Sequence, residues 1–190
     1  LKPYEQANIL ESRYSDDSTK PSIGIANLRN IVSMEGTASI EENKQKILNV
    51  IDVFKKYEVN MVLFPEFSLT GYFWDESPEC WEYMKKGVTD NHLEWLAEIK
   101  SKLDDTLQYV VFNNIRLDPD EPDGKFLNST YVVDKDFDCT RLNTEANDKF
   151  RIYDKTFLPG IEKVFTKSGK KDILVVDTQW GKFGFTTCYD

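Results

Sequence analysis

Histidine is almost missing from this chain: its 190 residues hold one, His92. A Ser-His-Asp triad would have to use it, and it sits in a helix-like segment, Asn91-His92-Leu93-Glu94-Trp95-Leu96, with no nucleophile elbow nearby. His92 reads as an ordinary surface or helix-start residue. Zinc sites built on several histidines are excluded, and the three cysteines, Cys80, Cys139 and Cys188, show no C-x-x-C spacing. No metal or other cofactor is expected. An odd, small set of cysteines argues against a disulfide framework and leaves room for one reactive thiol. It favours a reducing, cytoplasmic setting, with a secreted form left open. A basic excess is also lacking: 24 Lys and Arg stand against 33 Asp and Glu, for a net charge of −9. Nucleic acid is therefore not expected as a partner. No apolar run approaches the roughly 20 residues that span a bilayer, so no membrane partner is expected either.

What remains is ordinary globular composition, 40% hydrophobic and 13% aromatic, enough for one sizeable core. Residues 1–20 are polar and irregular and read as an extension. From residue 21 the chain alternates. Ile23 to Leu28 is a short apolar run, a candidate strand. Residues 39–58 read as a helix, because Ile40, Ile47, Val50, Ile51 and Phe54 recur at helical spacing. Ser39 with Glu42 predicts a capping box at its start. Met61 to Phe64 is the next strand, stopped by Pro65. Residues 66–89 are aromatic and punctuated by Gly and Pro, as in a long functional loop with short helical pieces. A helix over 90–104, capped by Asp90 or Thr89, strands over 108–116, 126–134 and 150–155, and a hairpin over 172–178 and 182–188 follow. Strand-helix alternation followed by clustered strands predicts an α/β layered fold with a mixed sheet.

Three runs carry chemistry. Val62-Leu63-Phe64-Pro65-Glu66 ends on a carboxylate, Arg151-Ile152-Tyr153-Asp154-Lys155 on an ammonium, and Gly181 to Cys188 on a thiol. A thiol, a base and a cation, each closing a strand-like run, are the parts of a covalent acyl-transfer site. Taken singly each has a plain reading: a loop-capping carboxylate, a solvated lysine, an inert small residue.

Together, Phe-Pro-Glu-Phe-Ser-Leu-Thr-Gly-Tyr (64–72), Tyr-Asp-Lys-Thr-Phe-Leu-Pro-Gly (153–160) and Gly-Lys-Phe-Gly-Phe-Thr-Thr-Cys-Tyr-Asp (181–190) occur in the order seen in the nitrilase superfamily, the carbon-nitrogen hydrolases. The chain resembles that family from about Pro21 to Asp190, including Asn128-Ser129 ahead of a Tyr-Val-Val strand, and Glu162, Phe165 and Gly169 after the lysine. The resemblance implies a nitrilase-like α-β-β-α sandwich with mixed sheets, of which residues 21–190 form the N-terminal part, incomplete at the C-terminus. It implies Glu66 as general base, Lys155 as the cation beside the oxyanion, Cys188 as nucleophile, Glu162 as a carboxylate positioning the lysine and substrate, and the Tyr189 backbone N–H as an oxyanion donor. Tyr-Asp after the cysteine is similar to the amidase branches, whereas nitrilases usually carry Trp-Glu. The expected reaction is hydrolysis of a small-molecule amide or carbamoyl C–N bond through a thioester. An N-acyltransferase on the same scaffold and an inactive nitrilase-like fragment are the alternatives. A homodimer is implied too. Phe157 stands where the family often has histidine. The loop aromatics Tyr72, Phe73, Trp74 and Trp81 are candidates to shape a pocket, and Asn128-Ser129-Thr130 is a possible glycosylation sequon.

Overall fold

In the computed structural model the described residues are 17, 19–33, 36–72, 76–171 and 173–190. Most of the expected extension lies outside them, as do Phe73 and Trp74. Strand β1 (Ile23–Ile25) leads to helix α1 (Ala38–Lys55) and strand β2 (Met61–Leu63). Helix α2 (Pro78–Gly87), a short 3-10 turn (Thr89–His92) and helix α3 (Leu93–Ser101) precede the long strands β3 (Tyr109–Arg116) and β4 (Phe126–Val133). Helix α4 (Glu145–Phe150) leads into β5 (Ile152–Asp154); after a 3-10 turn (Glu162–Val164) come β6 (Thr166–Lys167) and a hairpin of β7 (Leu174–Thr178) and β8 (Gly181–Phe185).

The main sheet has six strands, ordered β1-β2-β3-β4-β5, with β6 also on β4. Strands β1, β2 and β3 run parallel, while β4 is antiparallel to both β3 and β5. The mixed α/β sheet is the expected one. It follows that β2 and β5 point the same way, so the residues after them emerge at one edge. Side chains alternate between the two faces of a strand. Val62, Val110, Phe112, Tyr131, Val133 and Ile152 join one core with Ile40, Ile47 and Ile51 of α1, Tyr83 and Met84 of α2, and Trp95, Leu96 and Ile99 of α3. Met61, Val111, Val132 and Tyr153 take the other face and pack on Leu174 and Val176 of the hairpin. Burying one such aliphatic side chain contributes about 1.5–3 kcal/mol, so α1 is held by its stripe rather than by its ends.

The ends of the helices depart from expectation. Thr37, not Ser39, starts α1, without a side-chain cap bond. Ser39 lies inside the helix and donates to the Ser33 carbonyl at 3.1 Å. The segment expected as one helix from residue 90 splits, because Thr89 and Asp90 are taken elsewhere. The Thr89 hydroxyl donates to the Ile115 carbonyl at 3.1 Å, and the Asp90 carboxylate accepts from the Leu117 N–H at 2.8 Å. His92 begins α3 but is buried, with Nε2 2.9 Å from the Lys86 carbonyl; burial holds its pKa below the ordinary value. The loop after Glu66 contains a full ten-residue helix, α2, started by Pro78 and capped by the Ser77 hydroxyl.

Candidate active site

Glu66 stands three residues past the end of β2, and Lys155 directly follows β5. The Lys155 N–H donates to the Asn128 carbonyl at 2.8 Å, prolonging the strand pairing, and its carbonyl accepts from Gly169 at 2.9 Å. Gly169 has no room for a side chain there: a Cβ would lie 2.1 Å from the Asp154 carbonyl oxygen. This backbone clamp turns the lysine inward, where it is completely buried.

Lys155 Nζ lies 2.9 Å from Glu66 Oε1 and 2.6 Å from Glu162 Oε1. Glu162 is wholly buried, whereas the Glu66 side chain keeps 15% exposure. The Asn128 amide donates to Glu66 Oε1 at 2.8 Å and to Glu162 Oε2 at 3.1 Å. The Tyr72 hydroxyl donates to Glu162 Oε1 at 3.5 Å. Burial pushes the Lys155 pKa down, but the hydrogen bonds and charges of Glu162 and Glu66 outweigh it and hold the pKa above the ordinary lysine value. The lysine is therefore a fixed ammonium between two carboxylates.

Cys188 lies three residues past β8, in a turn with φ +51°. Phe67, next to Glu66, has the same left-handed φ of +51°. Such a backbone costs a non-glycine residue roughly 1–2 kcal/mol, and it persists only where surroundings impose it. At the cysteine turn Asp190 does so. Its carboxylate accepts from the Thr187 N–H at 3.1 Å, the Tyr153 hydroxyl at 2.8 Å, and the Thr156 and Phe157 N–H groups at 3.0 and 2.8 Å. One carboxylate thus ties the cysteine turn to the loop after Lys155. Cys188 is exposed, and its thiol faces Glu66. Burial raises the thiol pKa above the ordinary value, and the charge of Glu66 adds to this; Lys155 pulls the other way, and the Glu66 hydrogen bond and Glu162 push it up again. The resting sulfur is a protonated thiol.

Residues 25–190 match the family model described as carbon-nitrogen hydrolase. The chain belongs to the carbon-nitrogen hydrolase family. Solved structures of this family's nitrilase superfamily share its fold at low identity. Glutamine-dependent NAD+ synthetase from Acinetobacter baumannii is 24% identical, with a TM-score of 0.58 over 85% of this chain and 27% of that one. Saccharomyces cerevisiae Nit3, a member of branch 10 of the nitrilase superfamily, is 18% identical, with a TM-score of 0.55 over 79% and 50%. A mutant of the amidase from Nesterenkonia sp. AN1 is 13% identical, with a TM-score of 0.63 over 91% and 58%. The chain spans between 27% and 58% of the length of these structures. No curated protein matches it.

Of the residues singled out from the sequence, Glu66, Lys155, Glu162 and Cys188 converge; Tyr189, expected to act through its backbone N–H, directly follows the cysteine and turns its side chain outward. Sequence reading gave Asn113, Asn128, Thr130 and Thr187 no part in the site, and read Asp190 only as a mark of the amidase branches. Their signal was present as polar residues interrupting apolar strand runs, Tyr-Val-Val-Phe-Asn-Asn-Ile above all. The sequon Asn128-Ser129-Thr130 is buried in β4, and its asparagine nitrogen is committed to two carboxylates, so the folded chain offers no glycosylation acceptor there. Trp81 does not line the site; it packs against Phe126 and Phe165, with ring centroids at 5.0 and 5.8 Å. Among the described residues no group of His, Cys, Asp and Glu is arranged to hold a metal ion, and no helix is long and apolar enough to cross a membrane.

Proposed function

We propose that the protein containing this chain hydrolyses a small-molecule amide or carbamoyl compound through a thioester on Cys188. The observation that carries this reading is the convergence of a protonated thiol, a partly exposed carboxylate and a buried ammonium on one sheet edge. Because the thiol is held protonated, it needs a base at the moment of attack. Glu66 faces it and takes the proton as the sulfur adds to the amide carbon. Lys155 has three N–H donors, two of them engaged by Glu66 and Glu162. The third, with the Tyr189 backbone N–H, receives the developing oxyanion; losing one such donor costs about 3–4 kcal/mol. Glu66 returns the proton to the departing amine or ammonia as the C–N bond breaks. It then takes a proton from water, which attacks the thioester carbon, and the acid leaves as the thiol reforms. Glu162 and Asn128 hold the lysine and the base in register throughout.

An amide is favoured over a nitrile by the Tyr189-Asp190 pair after the cysteine. The amidase from Nesterenkonia sp. AN1, in its E41L form, carries the acetamide moiety of fluoroacetamide on its active-site cysteine, which supports a nucleophilic cysteine on this fold. The test is ammonia release from a panel of small amides by the purified protein and by Cys188→Ala. Turnover by the wild type that the variant lacks is the expected result; undiminished turnover in Cys188→Ala removes the mechanism. Hydroxylamine in the assay distinguishes hydrolysis from acyl transfer, since a thioester that passes to amines accumulates hydroxamate at the expense of acid.

A further inference from the structure

We propose that Asn113 is a positioning residue that sets the geometry of both carboxylates and of the cysteine turn. This deepens the site described above and rests on that reading. Asn113 is on β3, buried, and touches no group that would meet substrate. All its polar capacity is used inside the site. Its Oδ1 accepts from the Phe67 N–H at 2.9 Å. Its Nδ2 donates to Asn128 Oδ1 at 2.7 Å and to Thr130 Oγ1 at 3.0 Å. Thr130 Oγ1 in turn lies 2.8 Å from Thr187 Oγ1, one residue before Cys188.

The direction of each bond from Phe67 through Asn113 and Asn128 to the carboxylates is forced, whereas either hydroxyl of the Thr130–Thr187 pair can donate. A backbone N–H only donates, so the oxygen of Asn113 must face Phe67. Its amine must then face Asn128, which presents its oxygen. The Asn128 amine is left pointing at Glu66 and Glu162, and ionised carboxylates only accept. The left-handed backbone beside Glu66 thereby fixes which way the Asn128 amide points, although the two lie on different elements. Without Asn113 the Asn128 oxygen loses its donor, and the two carboxylates alone hold that amide. Strand register permits the chain: Asn113 is directly opposite Thr130 on β4, and Asn128 lies two positions along on the same face. Buried networks of this kind, with every member satisfied, define a single arrangement.

The test is a double-mutant cycle on the purified protein, with Asn113→Leu, Asn128→Leu and both together. Two readouts are taken: kcat and KM on a turned-over amide, and the rate at which iodoacetamide alkylates Cys188 across the pH range, mapped on the Cys188 peptide. Because small displacements cost on the order of a hundredfold, Asn113→Leu is expected to lower kcat about that much with KM nearly unchanged. It is also expected to slow Cys188 alkylation, since the Asn128 donor that offsets the Glu66 charge is no longer held in place from behind. In the Asn128→Leu background the same change should cost no more than about tenfold, because the path through Asn128 is already gone and only the bonds to Phe67 and Thr130 remain to lose. Additive losses, or a folded Asn113→Leu protein with wild-type kcat and alkylation profile, overturn the proposal. Should Asn113→Leu not fold, Asn113→Ser replaces it in the cycle, with the same two outcomes. A wild type without amide turnover would defeat the hydrolase reading alone, since the alkylation cycle still reads Asn113.

Discussion

Arg116 and Lys155 are both buried cations paired with carboxylates, and they lie on opposite faces of one sheet. Arg116 shares its face with Ser129, diagonal to it on β4, and with Asp154, opposite Ser129 on β5. Its Nε and NH2 reach the two oxygens of Asp154 at 2.9 and 2.7 Å, and Ser129 closes the ring by donating to Asp154 at 2.6 Å. NH2 also lies 3.8 Å from Asp148, which Lys171 approaches to 3.4 Å, so here a planar bidentate fork and a second cation balance two carboxylates. Lys155 instead sits as a point charge between two carboxylates. That side carries one negative charge more than it balances, and the surplus lies beside a thiol. The first arrangement holds strands together. The second sets a carboxylate beside the thiol.

The largest effect should follow loss of the shared cation. Lys155→Met leaves Glu66 and Glu162 facing each other without compensation, and orphaning a buried charge costs about 3–5 kcal/mol. Chemical denaturation should show that loss, with turnover below detection. Glu66→Gln separates stability from chemistry. Removing a general base lowers kcat by about 10²–10⁴, yet the variant also removes the surplus charge, so its denaturation midpoint should equal or exceed that of the wild type. Arg116→Lys is the mirror experiment. It replaces the fork by a single donor and should cost about 1.5–3 kcal/mol, the range for hydrogen bonds to charged groups, while kcat at a permissive temperature stays within a few-fold. A collapse of kcat as deep as that of Glu66→Gln would mean that the two faces are not independent.

How far the sequence revealed this division depends on whether the signal is local. Helix α1 was legible because five apolar residues repeat at helical spacing along one segment. Helix α4 was not: it is short, and of its side chains only Asn147 is buried, so it carries no apolar stripe. Its one local cue was Thr144, whose hydroxyl accepts from the Asn147 N–H. The carboxylate, ammonium and thiol were legible from motifs that each closed a strand. Asn113 and Asn128 were visible only as oddities in apolar runs. Their meaning needs the register of β3 on β4, a non-local fact that no stretch of either strand contains. Asp190 was noticed for its type alone, whereas its work is to gather four donors from two separate stretches of the chain.

The smallest effect sharpens the comparison most, because it sets thiol reactivity against turnover. Burial and the charge of Glu66 raise the Cys188 pKa above the ordinary thiol value. Only the thiolate is alkylated, and an unperturbed thiol titrates near ~8.5. At any pH below that, a raised pKa means less thiolate, so iodoacetamide should label Cys188 more slowly than a free thiol, and the rate should keep climbing after the free thiol has levelled off. In Glu66→Gln the repelling charge is gone while Lys155 remains. The pKa then falls, and labelling at neutral pH should become faster than in the wild type. The variant least able to turn over an amide is thus expected to hold the more reactive sulfur. Slower labelling in Glu66→Gln would mean that the carboxylate was already activating the thiol at rest, and that the surplus charge on this face is not what keeps the proton on sulfur until a substrate arrives.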